Sequence, residues 1–253
     1  MKRVARAMNK YSYPTPLIID PTRSHTASVI WLHGFGDTAK GWSSAATEVF
    51  SVFLPSHRII LGNAPIRPVT AFFGQEAPAW YDLTSFSSDR GKEACEGLEE
   101  SKAYVESLIA EEVSRGIPRR NIALGGFSQG SALALFTGLQ SVDPLGGVIV
   151  LSGYLPKPSL VVPSPDALRS TVFSFFHGAQ DELVPTSYLD DALQRVKAFG
   201  VQNVSSRIYP EIGHSVSEEE LEDVCACILK HTSAASIMES SGSGGTLGGA
   251  GSK

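Results

Sequence analysis

Ile122-Ala123-Leu124-Gly125-Gly126-Phe127-Ser128-Gln129-Gly130-Ser131-Ala132-Leu133-Ala134-Leu135-Phe136 is the stretch on which the reading of this 253-residue chain turns. Ile122 to Phe127 is apolar and ends at a turn, as a strand covered on both faces does. Ser131 to Leu139 then takes a helical period, and only Ser128 and its neighbours separate the two. A strand-to-helix turn that short needs glycine at neighbouring positions. It lifts the serine hydroxyl above the carboxyl edge of a sheet, at the N-terminus of a helix. Gly126-Phe127-Ser128-Gln129-Gly130 alone is a weak signal, because a turn needed only for packing is also rich in glycine. The strand before it and the helix after it make it specific.

The rest of the chain repeats that alternation. Ala27 to Leu32, Val148 to Leu151 and Val172 to Phe176 read as further buried strands, and Arg207 to Tyr209 as another. Leu98 to Val113, Tyr188 to Phe199 and Glu218 to Leu229 read as helices. Strand and helix in alternation predict an α/β architecture with a mainly parallel central sheet flanked by helices. Ser217 followed by Glu220 has capping-box spacing, which starts the last helix just after His214. Residues 1–24 are expected to form an N-terminal extension and residues 25–231 one catalytic domain. Residues 232–253, with six glycines and six serines, are expected to form a disordered tail, too poor in apolar surface to offset its ordering entropy.

Composition narrows the function. With 42% apolar residues the chain can bury one sizeable core. A formal net charge of −5 supplies no field that draws nucleic acid or anionic lipid. The three cysteines Cys95, Cys225 and Cys227 do not form a secreted disulfide framework, which points to a reducing compartment. No stretch reaches the roughly 18 apolar residues of a membrane helix. The cytosol is the expected location. The start, with Lys2, Arg3, Arg6 and Lys10 ahead of the first acidic residue, Asp20, is also compatible with an organelle-targeting presequence.

A serine hydroxyl needs a histidine base, and the histidine needs an acid that fixes its tautomer. In the α/β-hydrolase fold the order along the chain is serine, acid, histidine. Of the six histidines, His177, His214 and His231 follow Ser128. His231 borders the tail, and His177 sits at a strand end where a structural histidine is expected. His214 lies in a glycine-containing loop before a capped helix and is the best base. Asp181 follows the buried strand Val172 to Phe176 and emerges at the same sheet edge as Ser128, with Glu182 as its nearest rival. The oxyanion of a tetrahedral intermediate needs two N–H donors. Gln129, after the nucleophile, supplies one, and Phe35 in Trp31-Leu32-His33-Gly34-Phe35-Gly36-Asp37 the other. His33 is read as a brace for that loop. No metal or organic cofactor is expected.

These residues resemble the acyl-protein thioesterases and their carboxylesterase and lysophospholipase-like relatives. The resemblance rests on Leu32 to Asp37, Arg67-Pro68-Val69-Thr70, Ala79-Trp80-Tyr81-Asp82-Leu83, Gly126 to Gly130, His177-Gly178 with Asp181 through Pro185, and Tyr209-Pro210 with Gly213-His214. These stretches stand in family order and span about Ala27 to Leu229. The resemblance implies an α/β-hydrolase fold without a large lid domain, a triad of Ser128, Asp181 and His214, and oxyanion donors at Phe35 and Gln129. It also implies an acyl channel walled by Trp80 and Leu183, with simple core packing an equal reading of those two. The implied substrates are S-palmitoyl-cysteine on proteins or a small acyl ester or thioester, met with at most transient contact with a membrane surface, and a homodimer is compatible with it. Short-chain carboxylesterase or lysophospholipase activity is the neighbouring reading. A ligand-binding protein that kept the fold without catalysis is the alternative of a different class, and the complete triad argues against it. The sequence departs from the family pattern at Phe35, at Ser131 and over Ala71 to Glu76, next to the expected acyl site.

Overall fold

The computed structural model describes residues 11–85 and 93–240. Its centre is a seven-stranded sheet of β1 (Leu17–Ile19), β2 (Ala27–Leu32), β3 (His57–Gly62), β6 (Ile122–Phe127), β7 (Gly147–Leu151), β8 (Val172–Gly178) and β9 (Asn203–Tyr209). Their spatial order is β1-β3-β2-β6-β7-β8-β9. Only β1 runs antiparallel, pairing Leu17 with Leu61; the other six strands of this sheet pair in parallel, so the expected mainly parallel sheet is observed. Two short strands, β4 (Ile66–Val69) and β5 (Gln75–Pro78), form a separate antiparallel ribbon.

Side chains alternate across β2 as a strand buried on both faces requires. Ile30 and Leu32 pack on one side with residues of α2 (Leu98–Ser114), α3 (Gln129–Gly138), α4 (Pro165–Ser170) and α5 (Thr186–Ala198). Val29 and Trp31 pack on the other, with Ala46 and Phe50 of a π-helical stretch, Ala45–Phe50, that continues into α1 (Ser51–Phe53). Leu221, Val224 and Ile228 of α6 (Glu218–Ser240) complete that side. Every residue of α3 is buried, which explains why its sequence lacks the polar face of a surface helix. Among the described residues no helix is long and apolar enough to cross a membrane.

The sequence reading left out four strands. β3 has only three apolar residues and a glycine after His57-Arg58, and β1 has three residues set between prolines. In β4 and β5, Pro68 and Pro78 argue against a strand, yet a two-stranded ribbon has free edges where a missing N–H costs nothing. The boundaries shift at both ends. β1 lies inside the stretch read as an extension. The last helix runs on to Ser240 with Thr232 buried, so the tail expected from residue 232 begins within α6. Residues 1–10 and 241–253 lie outside the described residues.

Candidate active site

The residues after the sheet's carboxyl ends are tied stepwise to the next strand: Ser128 N–H donates to Leu151 O, Ser152 N–H to Phe176 O and Ala179 N–H to Tyr209 O, at 2.9, 2.9 and 2.8 Å. Ser128 takes the first step with φ 53° and ψ −120°, a positive-φ conformation that costs a non-glycine residue energy and persists only where its surroundings enforce it. Those surroundings are specific. A Cβ at Gly126 or at Gly130 would run into the Leu32 carbonyl oxygen, so both glycines of the turn are required by close approach of backbone. The Ser131 hydroxyl lies 2.8 Å from Ser128 O and 3.0 Å from Leu151 O, anchoring the turn to β7.

The three residues selected from sequence for the triad meet. His214 Nε2 is 2.9 Å from Ser128 Oγ, and His214 Nδ1 is 2.7 Å from Asp181 Oδ2. A carboxylate oxygen accepts, so Nδ1 carries the hydrogen, and Nε2 is left as the acceptor for the serine proton. Asp181 Oδ1 accepts from the N–H groups of Leu183 and Val184, at 3.0 and 2.7 Å. Its side chain is fully buried while that of His214 keeps 15% exposure. Glu182, the rival acid, points out to solvent. The His214 ring packs against Phe127 at 4.8 Å between centroids.

Ser128 and His214 open into a cavity of about 160 Å³ lined by Gly34, Phe35, Leu83, Phe127, Gln129, Leu183 and Val184. Both expected oxyanion donors thus border the space a reacting carbonyl would enter, and neither N–H is engaged in the turn and cap hydrogen bonds of the described residues. His33 braces the loop as expected: its Nε2 accepts from Ala64 N–H at 3.1 Å, so its Nδ1 donates to Gly34 O at 2.7 Å. Burial lowers its pKa and favours this neutral form.

Trp80 does not wall the cavity. It is 0% exposed, its indole N–H donates to His33 O at 2.8 Å, and its ring lies beside those of His33 and Tyr104. It is a core residue that supports the Gly34–Phe35 loop from behind. The Gln129 side chain holds the same segment, accepting from Trp80 N–H at 2.9 Å and donating to Tyr81 O at 2.8 Å. Leu83 takes the wall position in its place. The sequence signal for Leu83 was its membership of the Ala79 to Leu83 motif, where the tryptophan is the more conspicuous residue. Leu183 lines the cavity at its rim, 56% exposed. Phe35 stacks on Phe72 of the β4–β5 connection at 5.3 Å, next to a fully exposed Phe73.

Residues 14–232 match the family model described as Phospholipase/Carboxylesterase. The chain is 38% identical over 219 residues to an acyl-protein thioesterase 1 of Neurospora crassa, covering 83% of this chain and 88% of that one. It is 34% identical over 229 residues to the Aspergillus fumigatus protein of the same name, covering 85% and 92%. Among solved structures, acyl-protein thioesterase 2 of Zea mays superposes with a TM-score of 0.75 at 27% identity, covering 87% of this chain and all of that one.

Proposed function

Because this chain belongs to the phospholipase/carboxylesterase family of α/β hydrolases, we propose that it is an acyl-protein thioesterase whose nucleophile is Ser128. The observation that carries the reading is the unbroken line from Asp181 through His214 to Ser128, ending at an apolar cavity. His214 takes the Ser128 proton as Oγ bonds to the thioester carbonyl carbon, and the oxyanion forms against the N–H groups of Phe35 and Gln129. The C–S bond then breaks, the thiolate leaves with the proton from His214, and an acyl-serine remains. Water, deprotonated by His214, attacks that ester and releases the acid. Protein, substrate and water supply every proton and electron pair in these steps.

A cavity of about 160 Å³ is smaller than the roughly 300–1,000 Å³ that encloses a drug-sized ligand. A palmitoyl chain therefore places only its first carbons there, and the remainder runs out over Leu183 and the Phe35–Phe72 stack. The exposed Phe73 and Leu183 beside this exit suit transient contact with a lipid surface. The unpaired cysteines support a cytosolic location. The small cavity also favours a second reading, a short-chain carboxylesterase. Hydrolysis of an S-palmitoylated peptide beside its S-acetyl counterpart, by wild type and Ser128→Ala, separates the two. Wild type is expected to cleave the palmitoyl peptide at least as fast, and the variant neither. Cleavage of the acetyl peptide alone would reassign the protein as a short-chain esterase.

A further inference from the structure

We propose that His177, a histidine outside the triad, is a positioning residue that holds the Asp181 carboxylate on the His214 ring; this rests on the reading of Ser128, His214 and Asp181 as the triad. His177 lies near the end of β8 and is 1% exposed. Its Nε2 is 2.7 Å from Val184 O. A carbonyl only accepts, so Nε2 carries a hydrogen and donates it. The N–H of the same residue, Val184, donates to Asp181 Oδ1. The acid-bearing turn is therefore closed into a loop of bonds running from β8 through His177 to Val184 and back to Asp181. His177 Nε2 also lies 3.8 Å from Asp181 Oδ2, too far for a hydrogen bond but near enough to bias the carboxylate.

Asp181 thus stands between two imidazoles with different work. His214 has to become positive as Ser128 attacks, and Asp181 stabilises it. A second positive charge at 177 would weaken that hold. The charged and titratable groups acting on His177 are Asp181, His214 and, from α5, Asp190. Burial lowers its pKa against the raising influence of the Val184 carbonyl and the two carboxylates, which favours the neutral ring. Its neighbour Gly178 completes the arrangement. A Cβ there would run into the Ile212 carbonyl oxygen, and Gln180 N–H donates to that oxygen at 2.9 Å, so the strand end that carries His177 also seats the His214 loop.

The test uses the full chain with p-nitrophenyl butyrate, reading kcat, KM and the pH profile together with thermal melting. His177→Leu removes the donor at similar volume and is expected to lower kcat about ten-fold or more with little change in KM, since small displacements of a catalytic group are that costly. The acid limb of its kcat/KM profile should also move. His177→Gln, whose amide N–H can reach Val184 O, should recover kcat to within about three-fold of wild type, as a preserved supporting hydrogen bond implies. In an Asp181→Asn background His177→Leu should have little further effect on kcat, because residues acting through one another are not additive. If His177→Leu does not fold, His177→Asn, polar but too short to reach Val184 O, replaces it with the same expected loss. A variant that melts earlier yet keeps wild-type kcat and pH profile would reduce His177 to a structural residue and overturn the proposal, as would a glutamine variant no better than leucine. Wild-type turnover by Ser128→Ala would instead mean that the triad reading itself had failed.

Discussion

A serine, a histidine and a carboxylate meet at both ends of the sheet, and only one of the two groups is built for chemistry. At the amino end Ser28 Oγ donates to Glu112 Oε2 at 2.6 Å, Arg58 Nη1 donates to Glu112 Oε1 at 2.7 Å, and His25 Nε2 lies 3.0 Å from Ser28 Oγ. The single hydroxyl proton of Ser28 is committed to Glu112, so His25 has to donate to the serine oxygen and cannot serve as its base. At the carboxyl end the carboxylate instead meets Nδ1 of the histidine, and the free lone pair of Nε2 faces the serine. Ser28 sits in extended strand among paired charges; Ser128 sits on a strained turn beside a cavity. Residue types do not make a triad. The nitrogen the carboxylate occupies, and the backbone that carries the serine, decide it.

The sharpest way to break this contrast is to remove each serine. Ser128→Ala is expected to lower kcat on the order of 10⁶-fold, as removal of a triad serine does, while Ser28→Ala leaves kcat per folded molecule unchanged; turnover of a butyrate ester measures both. Equal losses would make the contrast meaningless. Next in size, Asp181→Asn should cost about 10⁴-fold in kcat by releasing the histidine tautomer, with circular dichroism and melting near wild type. Its rate of labelling by a fluorophosphonate probe should fall in parallel.

The amino-end group should show the opposite signature, stability without catalysis. Glu112→Ala leaves Arg58 without its buried partner and should destabilise the fold by about 3 kcal/mol in urea unfolding, with no change in kcat below the transition. The smallest effect concerns a carboxylate that lacks such partners. Both Glu220 carboxyl oxygens are buried without a hydrogen-bond partner among the described residues. Burial raises its pKa from 4.5 to about 7, against a lowering influence of the Ser217 backbone and with a smaller push from Asp223. The folded state then holds a proton that the unfolded chain has lost. The stability this confers is complete below 4.5 and disappears as pH rises through about 7. Glu220→Gln should therefore melt higher than wild type above that pH and flatten the slope between, read from melts across the range. An unchanged slope would mean that Glu220 finds partners in solution.

Much of the site was legible in sequence because its pieces are local. Gly126 to Gly130 between an apolar run and a helical one specifies a tight turn whatever surrounds it, and a histidine before the Ser217 cap marks a loop at a helix start; Glu220 N–H does donate to Ser217 Oγ at 3.1 Å. Trp80 misled because size and position in a motif do not reveal which way a side chain faces. Its ring belongs to the core, and Leu83 reaches the cavity. β1 and β3 were missed because short runs beside proline or a polar pair acquire strand character only through their neighbours in the sheet.

The sequence alone determined the alternation of strands and helices, the turn that presents Ser128, and the order of serine, acid and histidine along the chain. These follow from hydrophobic period and backbone sterics, which act over a few residues. Tertiary structure alone decided that His214 meets Ser128 across 86 positions, that Asp181 rather than Glu182 turns inward, that Leu83 replaces Trp80 at the wall, and that a second serine, histidine and carboxylate at the far end is a brace. Each depends on sheet register and on which face of an element is buried, and those are settled by packing between segments far apart in the chain.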